Sequence, residues 1–486
     1  MVNKVINTLL ALAITLVGLT GCAVVGLDNT DTQQKTPTTT TQQPTQPSTT
    51  TMQQPTQMPT TTTQQPTQPL TTTIQQPTQT QEPEGVIINL AMSNKARITN
   101  PSVDTEDMLA LTSGNLAFTA DLYAALKAGD GNIFLSPYST SQALAMTYAG
   151  ARGETEAQMA STLHFTLPQG ALHPAFNSLD IQLAQRGEGA EGKDGEGFRL
   201  NIVNAAWGQQ GFTFLPGYLE ILAENYGAGI NLLDFARAPE PSRITINDWI
   251  SEQTEGRIED LLAEGSITEA TRLVLTNAIY FNAAWQYPFD EKFTQSDNFY
   301  LLDGSSVEVP MMKQVNYFGY LEGSNYQAVE LPYSGGELSM VILLPKEGEF
   351  TNFEASLDGQ TLSGILNGIE YMDVALSIPR FEFDSQFSLK QTLAEMGMPI
   401  AFSDSADFSG MNGNLELYIG DVMHKAFVSV DEAGTEAEAA TAVIMELKGI
   451  PEEPMEVTVD RPFIFLIRDI KTDSVLFIGK VINPKA

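Results

Sequence analysis

HKAFVSVDEAGTEAEAATAVIMELK, residues 424–448, carries two signals that one static structure does not satisfy. Residues 424–430 alternate as a strand does, up to Gly434. Beyond it runs a stretch of Thr, Ala, Val and Glu with no proline and no second glycine until Gly449. Small and β-branched residues with period-two polarity read as a strand. The stretch then leads into Lys448-Gly449 and an acidic, proline-containing tail (451–454), which reads as exposed loop. A segment suited to both states is a conformational switch.

Alternation says how such a strand would sit in a sheet. From Thr435, one face reads Thr435, Ala437, Ala439, Thr441, Val443, Met445 and carries no charge. The other reads Glu436, Glu438, Ala440, Ala442, Ile444, Glu446. The uncharged face is expected to turn inward, leaving the glutamates, Glu438 included, in solvent. A one-residue slip would bury three carboxylates.

The rest of the chain falls into four parts. Residues 1–22 have a signal-peptide pattern: Lys4, then an apolar run too short to span a bilayer comfortably. It ends Leu19-Thr20-Gly21-Cys22, which resembles the lipobox of prokaryotic lipoproteins and implies lipidation of Cys22 after cleavage. The alternative is an ordinary secretory signal with a chance cysteine. Residues 23–85 form a spacer dominated by imperfect copies of TTTTQQPTQP, too polar to offset the entropy of ordering it. Residues 86–104 lead into a folded region at 105–486, long enough for one large domain. A lipid-anchored, extracellular, cell-surface or periplasmic location follows from this layout, with membrane attachment through Cys22 only.

The formal net charge of -34 argues against nucleic acid, a polyanion that needs Lys and Arg contacts, and against a polybasic membrane patch. Cys22 is the only cysteine, so no intrachain disulfide exists. Residues 105–127 have helical spacing, and 246–262 reads as an amphipathic helix. Strand-like runs crowd the second half with little βαβ alternation, which points to an α+β fold with largely antiparallel sheets.

Enzyme chemistry finds little support. The only histidines are His164, His173 and His424. The chain has no HExxH, CxxC, GxxxxGK[ST] or GxSxG, and no serine sits in a nucleophile-elbow context. No metal site, cofactor or catalytic residue is expected. A Ser-His-Asp triad with distant members remains compatible with the sequence, which leaves a hydrolase as a distant alternative.

Several stretches together resemble the serpins, serine protease inhibitors that act by refolding. NIFLSPYSTSQALAMTYAGARGETEAQM (132–159) is similar to the serpin second helix and the strand before it. INDWISEQTEGRI (246–258) has the pattern Asn-x-Trp-x4-Thr-x-Gly-x-Ile, and LVLTNAIYFNAAWQYPF (273–289) resembles a central strand of the main sheet. HKAFVSVDEAGTEAEAATA (424–442) resembles the strand and hinge before the reactive loop, and RPFIFLIRDIKTDSVLFIGKVINP (461–484) the C-terminal strands. The resemblance covers about 105–486. The lipobox and spacer lie outside the family pattern.

The resemblance implies about nine helices, three mainly antiparallel sheets and an exposed reactive loop at about 432–460. It implies a monomer that traps a serine protease as an acyl-enzyme while the cut loop enters the main sheet. The hinge would be Glu432, Gly434, Thr435, Ala437, Ala439 and Ala440. The family's spacing, sixteen positions after Glu432, puts the scissile bond at Lys448-Gly449. A lysine there suits an acidic S1 pocket, hence a trypsin-like target. A loop of different length would make Leu447 or Glu446 the bait, for a chymotrypsin-like or a glutamyl-specific target. A cysteine protease target also stays open. Ser136, Ser139, Asn277 and His424 match the polar shutter beneath the sheet, and Trp285 the breach where the loop enters. His424 read alone is a catalytic base or a buried hydrogen-bonding group, and Trp285 a core aromatic. A non-inhibitory member of the fold, acting as a binding or structural module, is the runner-up reading, which charged or bulky inward hinge residues would have favoured.

Overall fold

The computed structural model describes residues 86–129, 131–187, 190, 198–435 and 453–485. The signal segment, Cys22, the spacer and the loop residues Ala437, Ala439, Ala440, Lys448 and Gly449 lie outside the described residues.

Sixteen strands follow one another in the described residues. The first eight are β1 (Asn89–Ala91), β2 (Ile133–Leu135), β3 (Arg199–Gln209), β4 (Ile230–Leu233), β5 (Leu273–Ala284), β6 (Gln295–Tyr300), β7 (Ser306–Glu322) and β8 (Tyr326–Pro332). The others are β9 (Leu338–Pro345), β10 (Glu370–Pro379), β11 (Phe381–Ser388), β12 (Asp421–Val430), β13 (Gly434–Thr435), β14 (Met455–Thr458), β15 (Phe463–Asp469) and β16 (Ser474–Val481). Ten α-helices, gathered mostly in the first half, and two short 3-10 turns accompany them.

The main sheet has the order β1-β4-β3-β5-β13-β12-β11. The second runs β14-β10-β7-β8-β9-β15-β16-β2, with β6 alongside β7. The expected α+β fold with mainly antiparallel sheets is the observed one. Hydrogen bonding makes two sheets continuous because the 17-residue β7 pairs with β6 and β10 along most of its length and with β8 at its end.

Strand β5 is buried on both faces, so it reads as a continuous run and not as an alternation. Leu275, Ile279 and Phe281 join the large core, while Val274 and Ala278 join a smaller one with Ile246 and Ile250. Under the main sheet lies the helix Pro137–Tyr148, with every residue buried. Its Ser136 N-cap accepts a hydrogen bond from Ser139 N, and Pro137 occupies the first turn, where no amide partner is lost.

The helix Thr105–Leu126 agrees with the spacing read from sequence, and Asp104 caps it by accepting from Asp107 N at 2.8 Å. The expected helix at 246–262 does not. The observed helix is Pro239–Gln253, and Glu255 and Gly256 then take positive φ values of 55° and 76°. Residues 254–262 fold back, yet Ile258, Leu261 and Leu262 are still buried with Ile246 and Ile250. The apolar pattern therefore marked burial correctly and period wrongly.

Candidate functional site: the seam of the main sheet

Strands β5 and β12 run parallel and pair directly from Val274↔Asp421 to Ile279↔Ala426. Above that point they part, and β13 occupies the gap. Gly434 pairs with Ala284, and Thr435 with both Ala283 and Val430. Gly434 and Thr435 are thus seated as a two-residue strand between β5 and β12.

Three groups of contacts hold it there. Trp285 N donates to Ala433 O and its indole Nε1 to Asp431 O, both at 2.9 Å. The Trp285 ring stacks on Tyr333 at 4.7 Å, and the Tyr333 hydroxyl bonds Thr435 Oγ1 at 2.9 Å. Thr435 is only 1% exposed. Gly434 passes so close to β5 that a Cβ would lie 2.2 Å from Ala283 O, which explains the glycine sterically. The Glu432 carboxylate accepts from Arg380 Nη2 at 2.6 Å and from Thr294 Oγ1. Burial pushes this carboxyl up, but the Arg380 and Thr294 hydrogen bonds outweigh it and hold it below the usual carboxylate range.

Below the hinge, the polar cluster staples the seam shut. His424 and Asn277 face each other across β5 and β12. His424 Nε2 accepts from Ser136 N at 3.1 Å, so Nδ1 carries the proton and donates to Asn277 Oδ1. Asn277 Nδ2 donates to Ser139 Oγ and Asn204 Oδ1. Asn204 Nδ2 in turn reaches Gln142 Oε1 at 2.8 Å, and Ser136 Oγ donates to Leu476 O at 2.7 Å. Ser136, Ser139, Asn277 and His424 are each 0% exposed. Burial lowers the His424 pKa from its ordinary 6.5 to about 3, so the ring is neutral. A neutral imidazole with both nitrogens engaged by structural partners is not a poised general base. Among the described residues no group of three His, Cys, Asp or Glu is placed to hold a metal ion.

The structure brings Ser136, Ser139, Asn277 and His424 into one network, and Trp285, Glu432, Gly434 and Thr435 into another. Sequence reasoning missed Asn204, Gln142, Tyr333 and Arg380. Asn204 left a signal, a lone amide inside the run Ile202-Val203-Asn204-Ala205-Ala206-Trp207. Arg380 and Tyr333 left none, because their partners come from other strands.

Comparisons with a family model, with known proteins and with solved structures agree with this geometry. A family model described as serpin (serine protease inhibitor) matches residues 113–484. An uncharacterised serpin-like protein of Thermococcus kodakarensis is 40% identical over 371 residues, 76% of this chain and 84% of that one. Leukocyte elastase inhibitor A of Mus musculus is 40% identical over 390 residues, 78% of this chain and 100% of that one. The crystal structure of the thermophilic serpin tengpin in its native state superposes with a TM-score of 0.71 at 30% identity, covering 80% of this chain and 97% of that one. The chain belongs to the serpin family.

Proposed function

We propose that this serpin is a suicide-substrate inhibitor of serine-type endopeptidases and not an enzyme. The observation that carries the reading is β13, a hinge already lodged between two strands whose register can continue. Because β13 is antiparallel to both neighbours, a strand continued in its register would bring Ile444 opposite Val274 on one side and Asp421 on the other. Those two residues are paired with each other now. An inserted strand therefore keeps register with both neighbours without a bulge. The nine residues from Glu436 to Ile444 would each gain ladder bonds of about 1 kcal/mol net, less those of the β5–β12 pairing they replace.

In this reading the protease serine oxygen attacks the Lys448 carbonyl carbon, and the Gly449 amine leaves with a proton from the protease histidine. The ester left on Lys448 is trapped because insertion carries the bound protease along before water can attack. Lys448 makes the target trypsin-like. Incubation with trypsin is expected to give a band at the summed mass that survives boiling in detergent. Clean cleavage without it would leave a non-inhibitory member of the fold, and a new N-terminus other than Gly449 would move the bait to Leu447 or Glu446.

The same reading keeps the lipid anchor at Cys22, with the spacer holding a monomeric inhibitor off the membrane outside the cytoplasm. N-terminal mass spectrometry of the mature protein should find a diacylated Cys22. A mature chain starting elsewhere with an unmodified terminus would sink the anchor.

A further inference from the structure

The outward face of the seam is not open water where the first glutamates of the loop would pass. A strand continued in the register that sets Thr435 against Ala283 and Val430 would bring Glu436 between Asn282 and Ser429, and Glu438 between Tyr280 and Phe427. Tyr280 and Asn282 are 1% and 0% exposed, and Asn282 Nδ2 donates to the Tyr280 hydroxyl at 3.2 Å. Two guanidinium groups sit over the Tyr280 ring: Arg199 at 5.9 Å and Arg257 at 5.8 Å from its centroid. Arg199 comes from β3, where it pairs with Asn282, and Arg257 from the fold-back after the helix Pro239–Gln253. Neighbouring strands lie about 4.8 Å apart, so a carboxylate entering beside Tyr280 comes within an arginine side chain's reach of both.

We propose that Arg199 and Arg257, over Tyr280, form the receiving site for the carboxylates of Glu436 and Glu438 as the loop enters the sheet. The proposal rests on the inhibitory reading and adds a chain-specific device to it. An inward face without charge makes insertion permissible, whereas this pair makes it directed. Arg199 also lies 3.8 Å from Glu255, so the arriving carboxylates share or replace that partner. The acidic groups across the seam have neighbours of their own: Glu382 accepts from Ser429 Oγ at 3.0 Å, and Asp384 lies 3.9 Å from Lys425. Charge-assisted contacts that strengthen as the strand enters would lower the barrier to insertion and fade with salt.

The test reads insertion directly, as the rise in thermal unfolding temperature that follows loop cleavage by trypsin. The double variant Glu436→Gln/Glu438→Gln changes only the loop and leaves the body intact. It is expected to insert about tenfold more slowly than wild type at low salt and equally fast near 1 M salt. Arg199→Gln/Arg257→Gln should show the same slowing, and the quadruple variant no more than either pair, because each removes the same interaction. Rates within twofold of wild type for the loop variant, or effects that add in the quadruple, would overturn the site. Normal insertion with no detergent-stable complex would overturn the inhibitory reading alone.

Discussion

Thr435→Arg is expected to convert the protein from inhibitor to substrate. The loop should be cut as fast as in wild type, while the detergent-stable complex falls at least about a hundredfold, the kinetic equivalent of several kcal/mol. Thr435 is the leading inward residue of the inserting strand, 1% exposed, with its hydroxyl on Tyr333. Tyr333 is itself closed off by the Trp285 stack and by an edge contact with Phe281 at 5.0 Å. An arginine here must either carry a guanidinium into this apolar pocket or keep the hinge outside. Because trapping is a race between insertion and hydrolysis of the ester, a slow first step hands the ester to water. Gel quantitation of complex against cleaved chain at matched doses measures the outcome. Undiminished complex would mean that another residue leads and that the seam fills in a different register.

His424→Ala should cost on the order of 4 kcal/mol of stability. It strands the Ser136 amide and the Asn277 carbonyl oxygen, each worth about 1–3 kcal/mol when left unsatisfied in the interior, and it opens a cavity against Phe387. The substitution also changes the pH dependence. In the fold His424 titrates near about 3 and His173, lowered by burial, near about 4, whereas both take up protons near 6.5 once unfolded. The unfolded chain therefore binds the extra protons as pH falls below 6.5. The stability from each buried neutral ring is complete above that value and is lost downward, at about 1.4 kcal/mol per pH unit per histidine. Denaturant midpoints compared at roughly pH 7 and pH 5 should fall in wild type, and the variant should keep only the His173 share. A pH-independent wild type across that window would show that the two rings take up protons in the fold as readily as in the unfolded chain.

Much of the seam was legible along the chain because its logic is local. Alternation from Thr435 separates uncharged positions from acidic ones in the sequence, and Thr435, the first of the uncharged set, is buried. Glycine at 434 marked a backbone approach that no side chain tolerates. Ser136 and Ser139 were singled out by the family resemblance alone, since the helix around them mixes polar and apolar residues throughout. Less legible were groups whose meaning depends on a distant strand. Tyr333 looks like any aromatic at the end of β8 until Trp285 and Thr435 close on it. Arg380 looks like a surface cation until Glu432 turns toward it. The helix at 246–262 was misjudged because apolar spacing records which side chains are buried, and a fold-back can bury Ile258, Leu261 and Leu262 as well as a helix can.

By itself the sequence determined the α+β class, the acidic character of the chain, and the charge alternation that follows Thr435. Periodicity and covalent spacing set these, and both are properties of neighbours along the chain. Only the tertiary structure decided how far the hinge is seated, where β5 and β12 part, and which side chains meet the loop. Those depend on sheet order, which places Thr435 against Ala283 and brings Arg199 and Arg257 together over one tyrosine. The physical reason is that strand pairing joins residues far apart in sequence.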